Sequence, residues 1–154
     1  MKPPPQRARD ALPGDAEALA LLHAHAFPFE PWDRNSLLRL IALPAMRARV
    51  IEGGKGAKLG FLLALVVGGE AEILTLCVAP NARRQGVARV LLADLESLAR
   101  AAKSSRLVLE VAADNGPALR LYETSGFIPI GRRAGYYRRG DSAPVDAVML
   151  AQGL

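Results

Sequence analysis

The chain has 154 residues, 51% of them hydrophobic and 23% charged, which is enough to build one buried core and excludes a disordered or fibrous chain. Its longest wholly apolar run, Phe61 to Val67, falls far short of the ~20 residues a membrane-crossing helix needs, and Met1-Lys2-Pro3-Pro4-Pro5 offers prolines where an export signal needs an apolar helix. A single cysteine, Cys77, excludes an internal disulfide and a cysteine-built metal cluster, while a formal charge of +5 suits a polyanionic ligand; the expectation is a cytoplasmic protein with no membrane and no metal.

In chain order, residues 1–6 read as a disordered tail and Arg7 to Ala11 as a short edge strand, and residues 7–154 read as a single domain. Leu12-Pro13-Gly14-Asp15 is a turn followed by an N-cap, from which a helix runs from Ala16 to Phe27. His23 and His25 stand two apart, point to different sides of that helix, and read as surface or packing residues rather than metal ligands. Pro28 and Pro31 break the helix, and Asp33 caps a second one through Leu37, Leu38 and Ile41 until Pro44. Strands over 45–52 and 59–67 flank Gly53-Gly54-Lys55-Gly56, a turn that lacks the spacing of a nucleotide-binding loop. Gly68-Gly69 then turns into a strand over 71–78, completing a three-strand antiparallel meander.

From Gly86 the apolar period becomes helical for about four turns, through Val87, Leu91, Leu95, Leu98 and Ala102. Arg106 to Val111 is a strand. Asn115 to Thr124 is a helix with Asn115 or Asp114 as its cap, Pro117 in its first turn and Gly126 at its end. Phe127 to Gly131 and Val145 to Leu150 complete the sheet. Between them, Arg132 to Arg139 mixes arginines with Tyr136 and Tyr137, a composition able to grip single-stranded nucleic acid; a solvated charged face is the favoured reading, so a nucleic-acid partner is not expected.

The loop Arg83-Arg84-Gln85-Gly86-Val87-Ala88-Arg89 joins a strand to the first turn of the long helix, where backbone N–H groups lack intrahelical partners and the helix dipole attracts anions. Gly86 and Ala88 leave room for a diphosphate to approach. Glu110 interrupts the apolar strand Leu107-Val108-Leu109, where an unpaired carboxylate is costly, so it has either a chemical task or an arginine partner. Arg83, Gly86 and Ala88 match [Q/R]-x-x-G-x-[G/A], and Asn115 to Phe127 match N-x-x-A-x-x-L-Y-x-x-x-G-F.

On these residues the sequence resembles the GNAT acetyltransferases, and with Leu109-Glu110-Val111, Pro31-Trp32 and Gly135-Tyr136-Tyr137 it looks most like the bacterial enzymes of the RimI type, which acetylate the N-terminal alanine of a small-subunit ribosomal protein. The resemblance covers about Arg7 to Leu150. It implies an α/β (α+β) domain with a mixed, mostly antiparallel sheet of six to seven strands and about four flanking helices. It also implies acetyl-CoA as donor, with coenzyme A as product, and a protein or peptide N-terminus as partner.

By position, the resemblance makes Glu110 the general base and Tyr122 the general acid. Arg83 to Arg89 and Asn115 become coenzyme contacts, and Leu76, Cys77 and Val78 the strand whose backbone holds the acetyl group. Trp32, Tyr136 and Tyr137 form the acceptor wall. The chemistry is consistent: an α-amine of pKa near ~8 needs a base, a carbonyl oxygen gaining charge needs an N–H, and a departing thiolate needs a proton. Cys77 as an acylated nucleophile is the weaker route, because apolar burial raises a thiol pKa. The sequence departs from the family at Ala112, where arginine is common, at Ala88, and at Gly116-Pro117. A GNAT enzyme acting on a small amine, and a non-catalytic acetyl-CoA- or RNA-binding module, are the competing readings.

Overall fold

A computed structural model describes residues 6–154; most of the N-terminal tail, expected to be disordered, lies outside the described residues. Seven strands form one sheet in the order β1-β2-β3-β4-β5-β7-β6. They are β1 (Ala8–Asp10), β2 (Met46–Glu52), β3 (Lys58–Val67), β4 (Glu70–Val78), β5 (Arg106–Ala112), β6 (Ile128–Arg139) and β7 (Ser142–Gly153). Four helices flank them: α1 (Ala16–Ala26), α2 (Arg34–Ile41), α3 (Val87–Ala101) and α4 (Gly116–Thr124). All neighbours pair antiparallel except β4 with β5, as a strand-helix-strand crossover requires.

The alternation of side chains along the meander gives each face its own core. On one face Ile51, Leu62, Ala71 and Ile73 pack against Val87, Leu91, Leu95 and Ala99 of α3 and against Tyr122 and Phe127 around α4. On the other, Val50, Phe61, Leu63 and Cys77 pack against Leu19 of α1 and Leu37 of α2. The apolar stripe of α3 ends one turn earlier than its spacing suggests: Ala99 is buried, whereas Ala102 lies past the helix and is exposed.

Two local expectations change. Asp15 does not cap α1 with its side chain. Its carboxylate accepts the Leu12 N–H at 2.7 Å and two bonds from Arg9 at 2.8 and 3.0 Å, and those contacts, Arg9 first, hold its pKa down at about 2. A charge-assisted pair between the buried Asp15 and the partly exposed Arg9 outcompetes a helix cap here and pins β1 to the start of α1. The last two strands are also much longer than expected, running unbroken from Ile128 to Arg139 and from Ser142 to Gly153 around a turn at Gly140-Asp141. β6 is an edge strand exposed along most of its length, so it has no buried face to impose an alternating pattern on its sequence. Its arginines make it a poor template for edge-to-edge association.

Gly60 marks the tightest approach between sheet and helix. A Cβ built there would meet the Cys77 carbonyl oxygen and Val87 Cγ1, both at 2.8 Å. Backbone on one side and a buried branched side chain on the other leave no easy relief, so Gly60→Ala should destabilise the fold by about 2 kcal/mol, within the range for overpacked cores. Chemical denaturation of the two proteins, compared at equal slope, measures this; an unchanged midpoint would show that α3 shifts freely over β3.

Candidate active site

β4 and β5 pair only from Glu70 with Arg106 to Ile73 with Leu109. Just beyond, β4 gains a residue relative to β3: Leu63 faces Thr75 while Ala64 faces Ile73, leaving Leu74 as a bulge. A bulge bends its strand and sharpens the local twist, and here it turns Leu74–Val78 away from β5. That stretch keeps β3 on one side and has no strand on the other, so alternate N–H and carbonyl groups of its free edge face the gap. The gap opens into a cleft of about 360 Å³ whose wall includes Thr75, Leu76, Glu110, Asn115, Tyr122 and Tyr137.

Because the sheet is split at this point, the cleft receives side chains from both of its faces. Leu107, Leu109 and Val111 point to the α3–α4 side, so Glu110, alternating with them, points to the α1–α2 side. Tyr122 comes from α4 on the opposite side, buried and edge-on to Phe127 at 5.4 Å between ring centroids. Burial pushes its hydroxyl well above the usual phenol pKa, with Cys77 and Tyr137 adding to the rise; it is protonated at every physiological pH. Tyr137 is raised to about 12, by burial first and then by the Glu110 charge. Glu110 itself accepts from Arg133 Nε at 2.8 Å, so the carboxylate has both a place in the cleft and an arginine partner on the exposed edge strand.

The wall toward α1 and α2 is aromatic. His23 is buried, with Nδ1 accepting the Trp32 N–H at 3.0 Å and its ring stacked on Trp32 at 4.4 Å and tilted against Phe27 at 4.7 Å. Burial lowers its pKa to about 4. Across the mouth, the Arg139 guanidinium lies over the rings of Phe29 and Tyr137, at 5.5 and 5.7 Å, and bonds Asp114 at 3.2 Å.

At the far end of β4, the loop before α3 takes left-handed conformations at Arg84 (φ 62°) and Gly86 (φ 82°). A non-glycine residue in that region costs roughly 1–2 kcal/mol, strain of the kind held where a loop must present its backbone. The first helical bond runs from Val90 N–H to the Gly86 carbonyl at 3.0 Å, so the N–H groups of Val87, Ala88 and Arg89 are open. A Cβ on Gly86 would meet nothing within 4 Å, which leaves clear space beside the loop. Donors, dipole and two exposed arginines, Arg83 and Arg84, fit a diphosphate.

Comparison with known proteins agrees with this architecture. Residues 17–127 match the acetyltransferase (GNAT) family. The chain belongs to the GNAT family. It is 33% identical over 128 residues to the ribosomal protein bS18-alanine N-acetyltransferase of Escherichia coli K12, covering 83% of this chain and 82% of that enzyme. It is likewise 33% identical over 129 residues to the N-alpha-acetyltransferase RimI of Mycobacterium tuberculosis, covering 80% and 79%. The crystal structure of the Escherichia coli S18-alanine enzyme superposes with a TM-score of 0.85 at 27% identity, over 96% of this chain and 93% of that one. Arabidopsis thaliana NAA60 in complex with acetyl-CoA shares the fold, at a TM-score of 0.86, 20% identity and coverage of 97% and 99%.

Against this GNAT frame, the structure gathers Glu110, Tyr122, Asn115, Leu76, Trp32 and Tyr137 around one cleft. Asn115 is the cap of α4, its Oδ1 accepting the Ala118 N–H at 3.2 Å, which leaves its amide N–H groups for the cleft. Arg83 to Arg89 lie apart from that lining, at the far end of β4. Among them Val87 is buried, so it offers only its backbone, and Arg89 reaches Thr124 Oγ1 of α4 at 2.8 Å. Cys77 points into the α1–α2 core with its thiol pushed up by burial to about 11, too high for a nucleophile. Tyr136 is half exposed and stands outside the lining, beneath Arg133 at 5.7 Å; an irregular stretch between Arg133 and Tyr137 turns it away from the cleft. Sequence reasoning took His23 for a surface or packing residue and overlooked Phe29 as part of the wall, whereas Arg139 is one of the arginines around Tyr136 and Tyr137 that it expected there. The only sequence signal for these three is an excess of aromatic and basic residues in two distant segments. Among the described residues no group of three or more His, Cys, Asp or Glu side chains is placed to hold a metal ion, and no described helix is long and apolar enough to cross a membrane.

The depressed His23 pKa has a consequence for stability. Above pH ~6.5 the imidazole is neutral in both folded and unfolded chains; between ~6.5 and about 4 only the unfolded chain takes the proton, so stability falls as pH falls through that window. His23→Gln removes this titration. The difference in unfolding free energy between wild type and variant should therefore shrink by about 1 kcal/mol per pH unit from pH 6 to pH 5, and parallel profiles over that range would contradict a buried neutral imidazole.

Proposed function

We propose that this GNAT enzyme transfers an acetyl group from acetyl-CoA to the N-terminal alanine of a protein, the small-subunit ribosomal protein bS18 being the first candidate. The observation that carries the reading is the cleft between β4 and β5, where Glu110 and Tyr122 enter from opposite faces beside a free strand edge. Two relatives at 33% identity that act on N-terminal α-amines support it.

Acetyl-CoA supplies an acetyl group activated as a thioester. The open N–H groups of Val87, Ala88 and Arg89, with Arg83, Arg84 and Gln85 beside them, would hold its diphosphate, and the amide of Asn115 offers a further donor. The free edge of Leu76 to Val78 presents backbone N–H groups toward the gap, and one of these, near Cys77 and Val78, stabilises charge building on a carbonyl oxygen. Such a fixed donor is worth ~3 kcal/mol of barrier. Glu110 takes the proton of the incoming ammonium, directly or through a water, so that a neutral amine attacks. An ammonium can replace the Arg133 guanidinium at the same carboxylate, exchanging one positive partner for another.

Tyr122 holds the proton that the departing sulfur needs. Its raised pKa makes it a weaker acid than a free phenol, so it would keep the proton until the departing sulfur carries enough charge to accept it. Trp32 and Tyr137 border the acceptor end, and Tyr136 acts on it only through Arg133.

Purified protein should acetylate a peptide beginning with alanine in the presence of acetyl-CoA, read by mass spectrometry at the N-terminus. Glu110→Gln should lower kcat/KM by about 100-fold or more, as loss of a general base does. Tyr122→Phe should lower kcat by about 10- to 100-fold with little change in acetyl-CoA affinity. Wild-type turnover in the double variant, or acetylation of polyamines with no activity on peptides, would refute the assignment.

A further inference from the structure

His23 has no task in the chemistry above, yet it is held more firmly than any other side chain of the cleft wall. It is 3% exposed, stacked on Trp32, tilted against Phe27 and hydrogen-bonded through Nδ1 to the Trp32 N–H. An Nδ1 that accepts an N–H carries no proton, so in the neutral ring the proton sits on Nε2. The Nδ1 bond is the one hydrogen bond the His23 side chain makes among the described residues. Among those residues, Ser104 Oγ is the one fully buried side-chain nitrogen or oxygen without a partner. The partnerless Nε2 therefore keeps a path to open space, and the space His23 borders is the cleft.

Because Nε2–H opens to the cleft, a ligand oxygen there would replace water as its acceptor, a net gain of ~0.5–1.5 kcal/mol, and the stacking on Trp32, the contact with Phe27 and the Nδ1 bond hold the ring in this orientation. The donor is neutral and sits in a wall of Phe27, Phe29 and Trp32, so it suits an uncharged oxygen. A carboxylate would instead be drawn to Arg138 and Arg139, which also line the cleft. A peptide N-terminus carries such an uncharged oxygen two bonds from its amine-bearing carbon: the carbonyl of its first residue. A simple polyamine has none.

Building on the N-terminal reading, we propose that His23 binds the acceptor, its Nε2–H donating a hydrogen bond to the carbonyl oxygen of the first residue of the acceptor peptide. The bond helps fix the amine at Glu110 and distinguishes a peptide end from a bare alkylamine.

The test compares an alanine-initiated peptide with the same peptide carrying sulfur in place of oxygen in the first amide, a far weaker hydrogen-bond acceptor. Wild type should prefer the oxygen form by about 10-fold in kcat/KM, mostly through KM, as expected for one lost hydrogen bond. His23→Phe keeps the stacking and removes the donor; it should shrink the preference to under about 2-fold and leave the KM for acetyl-CoA unchanged, while His23→Gln restores part of the preference. If His23→Phe does not fold, nitrogen-15 spectra of the wild-type histidine should show a proton on Nε2 that shifts with the oxygen peptide and not with the sulfur one. A preference that survives His23→Phe, or an Nε2–H resonance indifferent to both peptides, overturns the inference alone. Wild-type enzyme that acetylates neither peptide overturns the N-terminal reading and this inference with it.

Discussion

The parting of β4 from β5 is the constraint from which the rest of the site follows. A continuous sheet would seal its backbone groups in ladder bonds and keep side chains of its two faces apart. The extra residue at Leu74 ends the parallel ladder after Ile73 and Leu109, leaving a free strand edge and joining the two faces. Glu110 and Tyr122, which an intact sheet would separate, can then meet the same substrate. The loop before α3 begins where β4 ends, so its open backbone N–H groups follow directly on the free strand edge.

Burial then sets the charge of several polar groups in this region. Desolvation pushes Tyr122, His23 and Cys77 each toward its uncharged form, because each side chain is itself buried. Glu110 has a different setting. Its side chain is partly exposed and paired with Arg133, so the carboxylate stays on the solvent-accessible edge of the cleft, where an incoming cation can compete for it. One small volume thus holds two unlike environments, a buried phenol and a carboxylate at the solvent edge beside an arginine.

Features written in local sequence were legible, and features made by distant contacts were not. The meander, the helical period after Gly86, the strand-to-helix loop before it and the Asn115–Phe127 helix each depend on neighbours in the chain and lie where their spacing places them, α3 alone ending one turn early. Asn115 as the cap of α4 is one such case, since the cap bond spans only three residues. By contrast, Asp15 left its helix for Arg9 and Leu12. β6 gave no alternating signal because it lies exposed at the sheet edge. His23 became part of the cleft only through Trp32, beyond the break at Pro28 and Pro31. Tyr136 and Tyr137 are adjacent in sequence, yet the irregular pairing of β6 with β7 separates their environments, which no single-residue periodicity announces.

The stack of Phe29, Arg139 and Tyr137 joins the segment after α1 to the tip of the β6–β7 hairpin, and so roofs one side of the cleft. The bridge ties together two segments that are distant in sequence, so a change in either one is felt on the same wall of the cleft.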